Sequence, residues 1–323
     1  MGKRNFQACL KDDSGILVEE LSAPRSMLGA EKLLEALRNH DGNVKAVLEA
    51  TGNHWIRLHD MLEENGVETI LANPVKTRLI AEARIRTDRL DARVLADLLR
   101  GNLVAESYTP SLKERDWRSL VRHRASLVRM ETEVKNRIHA LLDKYWLEPE
   151  YSDLFGKRGL EWLRSLRLSD IDQLILESNL KLPESLEAQV DALNKEIARI
   201  AVDEDDIKLL MTMPGIDYYS AMLITAEIGD VHRFMNAKKL ASWAGLVPSI
   251  HQSGNTVYMG KITKKGSKWL RWILIQAAQR ASLSDPRLRN FYERVSKRRG
   301  HNKAVVAVAR EDADYHLSYV DEE

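Results

Sequence analysis

The sequence predicts an α/β domain followed by an all-α domain, with long helices joining them. Three observations carry this. The first hundred or so residues alternate short strand patterns with helical ones. Residues 112–145 contain neither Gly nor Pro and repeat apolar residues at near-heptad spacing. Beyond residue 206 the pattern is helical with conspicuous glycine breaks. The boundaries that follow are an N-terminal domain at 1–104, a connector at 105–205, a C-terminal domain at 206–310 and an acidic tail at 311–323.

The elements can be justified in order. Residues 5–10 and 16–21 read as two strands of a hairpin, because Asp12-Asp13-Ser14-Gly15 is a turn signal. Ser26 can cap a helix reaching Leu37, with Leu28, Leu33, Leu34 and Leu37 on one face. Residues 44–49 read as a strand that ends in the carboxylate of Glu49. A helix over 55–62 is stopped by Gly66, and a strand over 67–71 is closed by Asn73-Pro74. Residues 88–99 form a helix with Leu90, Val94, Leu95, Leu98 and Leu99 inward. This order predicts a mixed sheet covered by helices. In the connector, Trp117, Leu120, Leu127, Val134, Ile138, Leu141 and Tyr145 make a seam for a long helix that pairs in a coiled coil. A helical piece at 160–166 precedes a second long run at 183–211, whose Leu186, Val190, Leu193, Ile197 and Ile200 suit an antiparallel arm.

Composition narrows the function classes. Hydrophobic residues make up 44% and charged residues 30% of 323 residues, a soluble globular balance. The basic opening Met1–Phe6 has no apolar core behind it, so a secretory signal is not expected, and no apolar run is long enough to span a bilayer. The single Cys9 excludes an internal disulfide and a cysteine-based zinc cluster. A cytoplasmic protein is expected. The net charge of +1 conceals an asymmetry: residues 238–310 hold sixteen Lys or Arg against Asp285 and Glu293, so this segment carries +14 and the remainder −13. That distribution is the footprint of a polyanion-binding surface.

Three motifs bear on chemistry. Met213-Pro214-Gly215-Ile216 sits between two helical patterns, as in a helix-hairpin-helix whose backbone N–H groups meet a phosphate; the same residues also suit an ordinary tight turn. The loop Gly245–Gly254 is followed by Lys261, Lys264, Lys265, Lys268 and Arg271, candidate phosphate contacts. A serine hydroxyl among such cations can attack a phosphorus centre, and composition does not choose between Ser249 and Ser253. Glu49, Asp88 and Asp91 suit a Mg²⁺ site, while capping by Asp88 and pairing of Asp91 with an Arg are the structural alternatives. Arg294, Lys297, Arg298 and Arg299 extend the basic set. Arg118, Arg122, Arg124 and Arg129 on the long helix either touch RNA or line a solvated face. There is no Walker-type loop, so no nucleotide fuel is expected.

These pieces, in this order, carry a resemblance. Leu48-Glu49-Ala50-Thr51-Gly52, Asn73-Pro74 and Thr87-Asp88-Arg89-Leu90-Asp91-Ala92 resemble the N-terminal domain of the DEDD insertion-sequence transposases. Pro214-Gly215-Ile216, Ala244–Pro248, Ser253-Gly254 and Ile262-Thr263-Lys264-Lys265-Gly266 resemble their C-terminal domain. The resemblance implies a RuvC-like ribonuclease H fold that holds Mg²⁺ with four acids, of which Glu49, Asp88 and Asp91 match the second, third and fourth. It implies Ser253, rather than Ser249, as the nucleophile. It also implies a bridge RNA that pairs with donor and target DNA, assembly into dimers and tetramers through the coiled coil, and active centres shared between subunits. The family's first Asp lies just before the residues matching Gly2-Lys3, ahead of Met1, and Asp12 and Asp13 lie beyond the strand. The expectation is weakened metal binding and a less stable central strand. At the other end, Glu311-Asp312-Ala313-Asp314 interrupts the family's apolar helix. Two rival readings stand beside the transposase: a metal-dependent junction nuclease that uses water, and a nucleic-acid-binding remnant without catalysis.

Overall fold

The computed structural model describes residues 4–40, 42–80, 87–253 and 256–320, with side chains as far as residue 311. The chain forms two compact units, Met1–Thr109 and Pro110–Glu323.

The first unit opens with β1 (Asn5–Lys11) and β2 (Leu17–Pro24), an antiparallel hairpin in which Asn5 faces Pro24. Its turn is closed by Asp12, whose Oδ1 accepts from Ile16 N at 2.8 Å. Ser26 caps α1 (Met27–Arg38), accepting from Gly29 N at 3.2 Å. Leu33 and Leu34 are buried as expected, but Leu28 is 61% exposed, so the inward stripe is narrower than its leucines suggest. A right-sized crossover then follows: β3 (Lys45–Glu49), α2 (Ile56–Glu64) and β4 (Glu68–Ala72), with β3 and β4 parallel and Val47 opposite Ile70. Asn73 does more than close the strand. Its Oδ1 accepts from Val75 N and Lys76 N, both at 3.1 Å, and starts α3 (Pro74–Ile80), which the sequence patterns missed. The cap of α4 (Asp88–Arg100) is Thr87, which accepts from Leu90 N at 3.2 Å; Asp88 is already inside the first turn and is not the cap.

A single mixed sheet was expected. Among the described residues the strands form two separate two-stranded ladders, β1–β2 and β3–β4, with α4 packed against both β1 and β3. Phe6, Ala23, Leu33, Leu34, Leu58, Met61 and Leu62 bind the hairpin to α1 and α2 in one core.

The second unit begins with α5 (Leu112–Lys144), started by a reciprocal capping box between Ser111 and Glu114. After α6 (Lys157–Ser165) comes α7 (Asp170–Val202), which begins well before residue 183 and runs through Pro183. Proline removes one helical hydrogen bond, but Leu176, Leu180, Pro183, Leu186 and Val190 are all buried, and that packing outweighs the local penalty. α5 and α7 pair antiparallel: Lys144 meets Asp172 at 2.6 Å, and Arg124 meets Asn194 at 3.1 Å. The expected run to residue 211 is broken at Val202, and α8 (Asp205–Met211) is separate.

The rest is α9 (Tyr218–Ile228), α10 (Ala237–Trp243), β5 (Pro248–Ser253), β6 (Thr256–Ile262), α11 (Lys268–Ser284), α12 (Pro286–Arg299) and α13 (His301–Val320). The stretch read as a long loop before Gly254 is therefore largely a strand of an antiparallel ribbon. α9 is buried on nearly every side, with Met222, Leu223 and Ile224 inaccessible. Trp117 and Val121 of α5 and Ile197 and Ala201 of α7 join the same core, so the base of the arm is built into the C-terminal helices. α13 stays helical beyond Arg310, because residues 311–320 contain no Gly or Pro to stop it. Among the described residues no helix is long and apolar enough to cross a membrane.

Candidate active site

In the first unit, Glu49 ends β3 while Asp88 and Asp91 share the first turn of α4. All three line one cleft of about 970 Å³, whose walls come from β1, β3, α1, α2 and α4. Asp12, Asp13 and Glu106 line it too. Among the described residues no three of these side chains converge as a ready metal cage. The donors are nevertheless all carboxylate oxygens, the type a hard divalent cation takes, and Mg²⁺ commonly needs only one or two carboxylates, completing its shell with water and substrate phosphate.

One residue that the sequence patterns missed fixes α4. Glu20 of β2 accepts from Arg89 Nε at 2.7 Å and also from Arg93, bracketing the turn that bears Asp91. The Arg93 and Arg89 guanidinium groups hold its carboxyl down to about 2. Lys11 adds a second tie from β1 to Asp97 at 2.5 Å. Because the folded-state value of Glu20 is depressed, its contribution is full above its ordinary value of 4.5 and is lost as pH falls towards 2. Glu20→Gln should therefore be less stable than the parent at neutral pH, with the gap closing between pH 4.5 and 2 in thermal melts. A gap that stays constant over that window would remove the ion pairs from the account of α4.

In the second unit, Ser253 ends β5 opposite Thr256, exposed on a ribbon that is exposed on both faces. Cross-strand pairing places Ile250 with Met259 and Gln252 with Val257 on one side, and His251 with Tyr258 on the other with Ser253. Ser249 lies differently: it is half-buried at the ribbon's base, and its hydroxyl sits where a Cβ on Gly260 would come within 2.4 Å. The base itself is stitched tightly. Thr263 N donates to Val247 O at 2.9 Å, Lys264 N to Gly245 O at 3.2 Å, and Arg271 to Ala244 O at 3.1 Å. Gly266, at φ +92°, leaves no room for a Cβ, which would meet Trp243 O at 1.7 Å.

Lys261, Lys264, Lys265 and Lys268 are exposed around this base, while Arg271 is half-buried and committed to Ala244. Ser267 caps α11, accepting from Leu270 N at 3.1 Å, and its hydroxyl donates to Glu227 Oε2 at 2.8 Å. Glu227 is only 2% exposed and takes Arg122 at 2.6 Å. Arg118 donates to Ala226 O at 2.5 Å, Arg124 to Asn194, and Arg129 to Glu133. Arg118, Arg122 and Arg124 are thus engaged with other helices of the unit, whereas Arg129 is exposed and, among the described residues, meets only a glutamate of its own helix.

Gly215 lies in the turn between α8 and α9 at φ +82°. A Cβ there would meet Ala277 O at 2.6 Å and Ala281 N at 2.8 Å, so the residue lets the turn seat on α11. Two helices joined by a tight turn are present, as both readings of Met213–Ile216 required, and the glycine has a packing reason of its own.

Comparison with known proteins bears on both units. A DEDD transposase family model of the IS110 group matches residues 1–147, and a second model, described as transposase IS116/IS110/IS902 family, matches residues 207–293. The chain is 28% identical over 280 residues to the transposase for insertion sequence element IS1111A of Coxiella burnetii, covering 83% of this chain and 75% of that one. It is 23% identical to the transposase for insertion sequence element IS1328 of Yersinia enterocolitica, covering 82% and 79%. A probable family 20 transposase of Pseudomonas aeruginosa is 27% identical over 64% of each chain. With two models of one family matched in order across both units, the chain belongs to the IS116/IS110/IS902 family of insertion-sequence transposases.

Proposed function

We propose that this transposase breaks and rejoins DNA through a covalent serine intermediate, with Ser253 as the nucleophile. The observation that carries this is the placement of an exposed Ser253 on a ribbon whose rigid base is ringed by Lys261, Lys264, Lys265 and Lys268. Ser253 Oγ attacks a backbone phosphorus, its proton is lost, and a serine–phosphate bond forms as the P–O3′ bond breaks. The departing oxygen takes up a proton and becomes a free 3′ hydroxyl. A 3′ hydroxyl from a second strand then attacks the same phosphorus and returns Ser253. One phosphoester replaces another, so no ATP is required.

Glu49, Asp88 and Asp91 would hold Mg²⁺, which supplies charge neutralisation at the phosphate when bound. The lysines of the ribbon base neutralise flanking phosphates, and Gly215 offers its turn to one more. A guide RNA selecting donor and target DNA, and assembly of at least two chains through the α5–α7 arm, complete the reading. Its support is the resemblance of the motifs and the +14 charge of residues 238–310.

The test is to incubate the protein with element-end DNA and Mg²⁺, denature, and look for a DNA–protein adduct mapped by peptide mass. An adduct at Ser253 is expected. Strand cleavage with no adduct would favour a nuclease that uses water. Binding with neither would leave a non-catalytic nucleic-acid binder.

A further inference from the structure

A serine hydroxyl needs a proton acceptor before its oxygen attacks phosphorus, and the sequence around Ser253 offers few. No Asp or Glu occurs in residues 231–284. The charged lysines at the ribbon's base carry donors and no acceptor. What remains on the ribbon is His251, the one histidine between His232 and His301. Imidazole is the side chain that takes and returns a proton near neutral pH.

Strand register puts His251 beside the nucleophile. His251 and Ser253 are two apart on β5, so both side chains leave the same face, about 6.6 Å apart along the strand. Gln252, between them, leaves the other face. On β6, Thr256 lies opposite Ser253 and Tyr258 opposite His251. The Ser253 face therefore carries a hydroxyl pair at the tip and an imidazole–phenol pair behind it. The His251 and Tyr258 rings have centroids 6.4 Å apart and planes tilted by 36°, so the phenol narrows the range over which the imidazole swings. Tyr258 is the titratable group that faces His251 across the ribbon; Lys261 falls on the opposite face by alternation. Among the described residues the His251 ring nitrogens have no hydrogen-bond or ion-pair partner, whereas His40 meets Glu19 and His301 meets Tyr292. A cross-strand ring contact alone is served by any aromatic residue, and does not call for a titratable ring left open to solvent.

We propose that His251 is the general base that takes the Ser253 proton. This rests on the reading of Ser253 as the nucleophile. As the Oγ–P bond forms, the Oγ proton passes to an imidazole nitrogen. The P–O3′ bond breaks, its electron pair stays on the 3′ oxygen, and that oxygen is protonated from solvent water. In the return step the 3′ hydroxyl of the second strand attacks and loses its proton to solvent. The imidazolium gives its proton back to the departing Oγ, so His251 begins and ends neutral.

The test is single-turnover adduct formation on element-end DNA with Mg²⁺, followed against pH in the parent, His251→Gln, His251→Ala and Gln252→Ala. A lost general base slows such a step by about 10²–10⁴-fold, and His251→Gln should show that loss with DNA affinity kept. The parent's rate should fall on acidification as the imidazole is protonated, and this acid limb should vanish in His251→Gln. Added imidazole should restore adduct formation to His251→Ala in proportion to its neutral form, which a packing role for the ring would not allow. Gln252→Ala, on the other face, should keep the parent's rate and pH profile.

If His251→Gln forms the adduct at the parent's rate and with the parent's acid limb, the base lies elsewhere and the proposal is overturned. A slowed variant that keeps the acid limb and is not rescued by imidazole overturns it equally, and makes the ring a packing residue. If the parent forms no adduct at Ser253 at any pH, the serine reading itself fails and the proposal falls with it.

Discussion

Ser253→Ala is expected to abolish the covalent DNA adduct and to lower strand exchange by at least about 10³-fold, the scale of losing a nucleophile rather than a contact. DNA affinity should hardly change, because Ser253 sits at the far end of β5 from the lysines of the ribbon base. Ser249→Ala is the informative companion. Its hydroxyl is packed against Gly260, so its loss should loosen the ribbon's base and cost a few-fold in rate while leaving the adduct intact. The pair separates chemistry from scaffolding. If Ser253→Ala still gives an adduct that survives denaturation, another nucleophile is at work. If the adduct instead disappears in Ser249→Ala, the role moves to the ribbon's base. A uniform loss of DNA binding in both variants would mean that the ribbon acts by docking, and the serine assignment would fail.

Part of this arrangement was legible in the amino-acid pattern, and part was not. The N-terminal hairpin, the Ser26 cap, the strands at 44–49 and 67–71 and the long helix of the arm all rest on local signals, a turn tetrapeptide, a capping serine or an unbroken apolar seam, and all lie close to their expected places. The common cleft for Glu49, Asp88 and Asp91 follows the same logic, since a strand end and a helix first turn both open at an edge of an α/β layer. The early start of α7 was hidden by Pro183, whose local penalty is real but smaller than the burial around it. The ribbon was hidden differently. Gly245, Pro248 and Gly254 suggested a loop, and with both faces exposed there is no in-and-out alternation to betray a strand. The signal that was available is Ile250 on one side of Gly254-Asn255 and Thr256-Val257-Tyr258 on the other, β-forming residues flanking a two-residue turn pair. Glu20 with Arg89 and Arg93, and Arg122 with Glu227, gave no local sign, because each joins residues far apart in the chain.

Arg122→Ala should be the most destabilising single change in the second unit's polar framework. Glu227 is 2% exposed, and its Oε1 accepts from Arg122 Nε at 2.7 Å, with the Nη2 of the same guanidinium in ion-pair contact at 2.6 Å. Removing the guanidinium leaves a buried carboxylate with Ser267 as its remaining side-chain donor. Breaking a buried pair from one side costs about 3–5 kcal/mol. Arg122 keeps 40% of its side chain in solvent, so the lower end, about 3 kcal/mol, is the expected loss. For a unit of this size that is about 6–12 °C in melting temperature. A double variant, Arg122→Met with Glu227→Leu, removes both charges and fills the space with apolar atoms; it should recover most of the lost stability, although Ser267 then loses its acceptor. The functional consequence should separate from the thermal one. Ser267 caps α11 directly after Lys264 and Lys265, so even the double variant should hold the basic loop less firmly and bind DNA more weakly than the parent. A single variant that melts within 1 °C of the parent would show that water already satisfies Glu227, and that the joint between α5, α9 and α11 rests on its apolar packing alone.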